Sequence, residues 1–143
     1  VKYLLDTDHI VILQDQGGVE PARLAARIDA LPEEEFAFSI VSFHEQVLGG
    51  NNYIAQARNA AGILRGYSML FKVLATFGPA EVLPFDSAAQ SRFDQLRRKR
   101  VRIGTMDLRI AATALASGLT LLTRNAKDFS RVPGLTFEDW TAS

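Results

Sequence analysis

Five short runs rich in apolar and β-forming residues, "KYLL", "FAFSI", "AEVLPF", "LTLLT" and "LTFEDW", are separated along the chain by longer stretches with helical periodicity. That alternation constrains the fold more than any other feature. Strands joined through helices cannot close as hairpins; each crossover returns the chain to the same end of the sheet, so successive strands run parallel and the helices cover both faces. The pattern predicts an α/β three-layer sandwich with a central parallel sheet of four to five strands flanked by helices. At 143 residues the chain suits a single domain spanning 1–143. Between the strands, the sequence predicts helices over "DHIVILQ" and over "PARLAARIDAL" with Pro21 in its first turn. It predicts a third that starts at Ser42 and stops at Gly49-Gly50, and one long or two consecutive helices over "NNYIAQARNAAGILRGYSMLFKVLATF". Asp86 and Thr105 stand where caps for "SAAQSRFDQLRRKR" and "MDLRIAATALAS" belong.

Cysteine is absent, which removes disulfides, zinc thiolate clusters and thiol nucleophiles and fits a reducing cytoplasm. Lys2 and Asp6 break the first apolar run far below signal-peptide length, and Lys72 interrupts the longest one, "SMLFKVLATF", so a cytoplasmic protein with no membrane span is expected. Net charge is zero, but between Ser91 and Gly104 six cations (Arg92, Arg97, Arg98, Lys99, Arg100, Arg102) face Asp94 alone. Such a cluster is either a solvated helix end complementing the helix dipole or a site for a polyanion.

The first strand stops on two aspartates in "LLDTD". Three readings are open: Asp8 as a helix cap with Asp6 facing water, the pair as a metal site, or Asp6 as a nucleophile. In an open parallel sheet, ligands bind beyond the carboxyl ends of the strands, where the strand order reverses. Asp6 ends the first strand there, Asp128 follows the fourth in "LLTRNAKDF", and Glu45 and Asp107 fall in the first turns of helices able to point at the same rim. Each also has a purely structural reading. Glu45 fits a capping box with Ser42, Asp107 suits the helix dipole, and Asp128 suits a turn after Asn125. Meeting on one rim, the four would repel one another, and hard divalent cations that prefer oxygen ligands would relieve that repulsion.

The stretches "LLDTD", "SIVSFHEQVLG" (S-x2-S-x2-E-x3-G), "GTMDLRIAATALASG" and "LLTRNAKDF", in that order, resemble the PIN-domain ribonucleases and, more narrowly, VapC-type toxins of bacterial type II toxin-antitoxin pairs. The resemblance covers residues 3 to about 129, and "VPGLTFEDW" is similar to the family's usual ending. It implies a Mg2+ (or Mn2+)-dependent endoribonuclease whose acidic quartet falls on Asp6, Glu45, Asp107 and Asp128. Asp6 and Asp107 would be the primary metal ligands, and Glu45 and Asp128 would complete the shell or orient water. Thr123 and Asn125 would be supporting donors, with Arg124 and Lys127 beside the RNA. Asp8 stands where many relatives carry Asn or Ser, leaving its role as ligand, supporting group or cap open. The resemblance further implies an RNA substrate, a cognate antitoxin and a homodimer. The apolar excess from Ile54 to Phe77 agrees with a groove for an amphipathic partner, or else with a helix buried on both faces.

Two rivals share the opening motif. A haloacid-dehalogenase-like phosphatase would use Asp6 as nucleophile and Asp8 as acid, but needs a later paired-acid motif where "TMDLRIAATA" offers one acid. A phospho-receiver domain would phosphorylate Asp86 after the third strand and needs a strand-end lysine, whereas Lys127 comes several residues late. His9 and His44 read as structural, Phe71, Phe77, Phe85, Phe93 and Phe129 as packing residues, and Glu33, Glu34 and Glu35 as a solvated loop.

Overall fold

The computed structural model describes residues 1–15 and 17–142. Five strands among them, β1 (Tyr3–Leu5), β2 (Phe36–Ser39), β3 (Val82–Leu83), β4 (Thr120–Leu122) and β5 (Phe137–Glu138), form one sheet in the order β3-β2-β1-β4-β5, every pair parallel. The chain steps outward from β1 through β2 to β3, then crosses back to lay β4 on the other side of β1. The order therefore reverses between β1 and β4, and the carboxyl ends of those two strands open the crevice where ligands of such sheets sit.

Side chains alternate across the sheet, as a pleated strand requires. Leu4, Ala37 and Leu121 face a core built with Phe93 and Leu96 of α5 (Ser87–Arg98), Leu108 and Ile110 of α6 (Thr105–Ser117), and Phe129 of the short α7 (Ala126–Phe129). Tyr3, Leu5 and Leu122 face the second core with Ile10 of α1 (Thr7–Gln14), Leu24 of α2 (Val19–Asp29), Val73 and Phe77 of α4 (Ala60–Phe77), and Trp140. Glu33, Glu34 and Glu35 form a single 3-10 turn ahead of β2.

Three expected helix boundaries move. The third helix, α3, runs Ile40–Gln56, is capped by Ser39 rather than starting at Ser42, and continues through Gly49 and Gly50. The glycine pair is not a stop signal; Gly50 is buried where α3 crosses α4, and a Cβ there would meet Leu70 Cδ2 at 2.5 Å. Gly66 of α4 is the reciprocal contact, since its Cβ would collide with Ile54 of α3. Close helix approach outweighs the cost of glycine in a helix interior, about 1 kcal/mol. Gly66→Ala is therefore expected to lower the melting temperature, through overpacking worth about 1–3 kcal/mol, despite alanine's higher helix propensity. A thermal melt at or above wild type would contradict that packing. The third boundary is that of α6, which is capped by Gly104 with Thr105 as its first residue. Asp86 caps α5 as expected, accepting from Ala89 N at 3.0 Å.

On α4 the outer face is open: Leu64, Tyr67, Phe71 and Leu74 are 59–74% exposed. Their spacing of three and four residues lines them up as one stripe, so the helix is not buried on both sides. Among the described residues no helix is long and apolar enough to cross a membrane.

Candidate active site

Asp6 follows β1 and is only 4% exposed. It is the N-cap of α1, the role the sequence offers to Asp8, with Oδ1 accepting from Thr7 N at 2.8 Å. Its other oxygen lies 2.8 Å from Thr123 Oγ1, just beyond β4, so the ends of the two central strands are tied directly across the crevice. Burial first, then the Asp8 charge and, more weakly, Asp107, push the Asp6 carboxyl up to about 8, against the opposing hydrogen bonds from Thr123 and Thr7.

Asp8 behaves in the opposite way. Burial would raise it, but donors on three sides outweigh burial and hold it below the usual carboxylate range. His9 Nδ1 lies 2.8 Å from Oδ1; Arg124 N donates to Oδ2 at 2.9 Å, and Thr123 Oγ1 stands 3.2 Å from the same oxygen. His9 is fully buried, and its Nε2 accepts from Trp140 N at 3.2 Å, which fixes the tautomer that donates from Nδ1 to Asp8. Asp8 is thus a strut linking α1 to the turn after β4, its lone pairs largely taken by protein. An ionised, donor-saturated Asp8 is also a poor general acid, which counts against the phosphatase reading. Asp86, spent as a cap at the edge of the sheet, counts against the receiver reading.

Glu45 lies in the second turn of α3, because the helix starts earlier than expected, and this removes it from the capping box. Ser39 is the cap, and its Oγ accepts from Ser42 N at 3.1 Å. Glu45 Oε1 instead lies 2.8 Å from Thr7 Oγ1, which is also 2.9 Å from Ser42 Oγ. A hydroxyl has one proton and a carboxylate only accepts. Thr7 therefore donates to Glu45 and accepts from Ser42, and Ser42 in turn accepts from Ser39 at 3.3 Å. The result is a one-way chain of hydroxyls, buried at Ser39 and Ser42, ending on Glu45. Sequence reasoning did not single out Thr7, Ser39 or Ser42 for this role. The available signal was a hydroxyl one helical turn before Glu45 and another between two aspartates.

Asp107 sits in the first turn of α6, half-buried. Burial, then the charges of Glu45, Asp128 and Asp8, raise its carboxyl to about 6. Asp128, in α7, accepts from Asn125 Nδ2 at 3.0 Å, while Asn125 caps that turn and donates its N-H to Thr123 Oγ1 at 3.0 Å. Arg131 Nη1 approaches Asp128 at 3.6 Å. The Arg124 side chain turns away to pair with Glu20 at 2.7 Å, leaving only its backbone N-H at the site. Lys127 is exposed, as is His44.

Asp107 is therefore within electrostatic reach of Asp6, Glu45 and Asp128, so the four acids, carried by four separate elements, gather around it. Among the described residues no three His, Asp or Glu side chains form a preformed cage; the site is a rim of coupled carboxylates rather than a closed shell. Its donors are all hard oxygens, and two of the acids, Asp6 and Asp107, are raised by burial first and then by neighbouring carboxylates. That donor set fits a hard divalent cation.

The PIN domain family model matches residues 3–135. The chain belongs to the PIN domain family. Over 144 residues it is 28% identical to the tRNA(fMet)-specific endonuclease VapC of Salmonella typhimurium, covering 98% of each chain. It is 27% identical over 140 residues to ribonuclease VapC1 of Haemophilus influenzae strain R2866, covering 97% of this chain and 98% of that one. A crystal structure of DNA-bound VapBC from Salmonella typhimurium superposes with a TM-score of 0.73 at 25% identity, covering 98% of both chains. PIN-domain nucleases of this kind are divalent-metal dependent, in keeping with the donor set of this PIN domain.

Proposed function

We propose that this PIN domain is a metal-dependent endoribonuclease, the toxin of a type II toxin-antitoxin pair, acting in the cytoplasm on RNA phosphodiesters. The observation that carries the reading is the gathering of Asp6, Glu45 and Asp128 around Asp107 at the point where the strand order reverses. Asp6 and Asp107, the two acids raised by burial and then by neighbouring carboxylates, are the primary Mg2+ (or Mn2+) ligands. When bound, the ion supplies charge neutralisation at the scissile phosphate and activation of the attacking water. Asp6 is positioned by Thr7 N and Thr123 Oγ1, and Asp8 holds the turn that carries Thr123. Thr7 fixes Oε1 of Glu45 while Oε2 has no hydrogen-bond partner among the described residues, the arrangement needed to orient a water or complete the ion's shell. Asn125 holds Asp128 at the open side of the rim. The named activities of the VapC relatives support the same reading.

The antitoxin part of the proposal rests on the exposed Leu64–Tyr67–Phe71–Leu74 stripe of α4. A stripe of this spacing is what an amphipathic partner helix covers. Several structures of similar fold are toxin-antitoxin complexes, among them the VapBC complex of Haemophilus influenzae. Pairing of two toxin copies belongs to the same proposal.

Purified protein freed of antitoxin, incubated with total cellular RNA, is expected to cleave it with Mg2+ or Mn2+ and to stop on addition of EDTA. Cleavage indifferent to EDTA, or none with either ion, would reject the metal-dependent assignment.

A further inference from the structure

The six-cation segment singled out in the sequence is not spent on ion pairs. Among the described residues none of Arg92, Arg97, Arg98, Lys99, Arg100 or Arg102 lies within 4 Å of a carboxylate. Instead Arg97, Arg100 and Arg102 line an open pocket of about 780 Å³ that Asp128, Gly104 and Thr105 line as well. Gly104 and Thr105 begin α6, which has no side-chain cap, so its first-turn N-H groups are left to whatever enters. The loop is pinned in place: Arg131 Nη1 donates to Arg102 O at 3.2 Å, and the same nitrogen approaches Asp128. Arg100 holds a left-handed backbone at φ 57°, uncommon for a residue with a side chain.

An acidic rim repels the polyanion it is meant to cut, so the strand must be held from outside that rim. We propose that the Arg97–Arg100–Arg102 pocket, which Asp128 of the acidic rim also lines, is the phosphate cradle for the RNA strand flanking the scissile bond. This rests on the ribonuclease reading above. The contacts offered are guanidinium and backbone N-H groups, which grip phosphates and do not read bases. The aromatic ring of the pocket is unavailable for base stacking, because Phe93 is buried and both Arg97 and Arg109 stand over it, at 5.8 and 5.6 Å. The cradle therefore contributes affinity without sequence preference.

The test is binding of a fluorescent 12-nucleotide single-stranded RNA in EDTA, by anisotropy, over a range of KCl concentrations. For single strands each neutralised phosphate contributes a slope of about 0.7 in log K against log salt. Arg100→Gln with Arg102→Gln is expected to lower the slope by about 1.4 and to do so equally for different RNA sequences, with an unchanged circular dichroism spectrum. Arg23→Gln, a charge removed from α2, is expected to keep the wild-type slope. An unchanged slope in the double variant, or an equal drop in Arg23→Gln, would overturn the cradle. Failure of wild-type protein to cleave RNA with metal would instead remove the ribonuclease reading, and the two results are read separately.

Discussion

Asp6→Asn is expected to make the metal-free protein more stable at pH 8 while abolishing RNA cleavage. The Asp6 carboxyl is raised from the ordinary 3.8 to about 8 in the folded chain, by burial above all. Below about pH 4 both folded and unfolded chains are protonated there, and the shift costs nothing. Between the two values the unfolded chain has released the proton and the folded chain keeps it, so stability falls as pH rises, by several kcal/mol in all at about 1.4 kcal/mol per unit. Asparagine resembles the protonated acid. Its oxygen accepts from Thr7 N and its amide donates to Thr123 Oγ1, which is then free to donate to Asp8. Even roughly 2 kcal/mol recovered would raise the melting temperature of a chain this size by about 5–10 °C at pH 8, with the gap closing toward pH 4. Cleavage should meanwhile fall on the order of 100-fold or more, the effect of losing about 3 kcal/mol of charge stabilisation at the reacting phosphate. Mg2+ should raise the melting temperature of wild type more than that of the variant, since only a site with its ligands intact is stabilised by mass action. Thermal melts at pH 4.5 and 8, with and without Mg2+, read the two stability effects, and an RNA cleavage assay on the same preparations reads the third. A variant that is active, or equally stable at both pH values relative to wild type, would show that Asp6 is not the strained acid of the site.

The reason for that strain could be read from the sequence only in part. Alternating apolar runs fix a parallel sheet, because each strand is separated from the next by enough chain for a helix, and all five runs became strands. The four acids could be placed near one another because β1 and β4 are adjacent and strand ends share an edge. What escaped was the local hydrogen bonding. Whether Ser39 or Ser42 caps α3 is decided by a single hydroxyl, and moving the cap by three residues turned Glu45 from a capping partner into an acid held by Thr7 across 38 positions of sequence. The glycine pair in α3 misled for a similar reason. Gly50 has its meaning in the surface of α4, which no window of α3 contains. Arg124 sits in sequence beside the site, yet one helix away Glu20 claims its side chain.

Glu45 is where these two kinds of information meet, and Thr7 is how to test it. Glu45→Gln keeps an oxygen to accept from Thr7 and removes only the charge. The metal-free protein should therefore melt at or slightly above the wild-type temperature, because Asp107 loses the neighbour that most raises it after burial. Cleavage should fall on the order of 100-fold. Thr7→Val preserves shape and deletes the donor. A hydrogen bond to a charged group is worth about 1.5–3 kcal/mol, so if Thr7 fixes Glu45 for the reaction, kcat should drop by about tenfold to 100-fold with KM for RNA little changed. Thr7→Ser, which restores the hydroxyl at the same place, should recover most of it. The pattern distinguishes positioning from packing. Full activity in Thr7→Val with loss in Thr7→Ser would mean that the methyl group matters and the hydroxyl chain does not, while full activity in Glu45→Gln would leave the site with three acids and Thr7 with nothing to position.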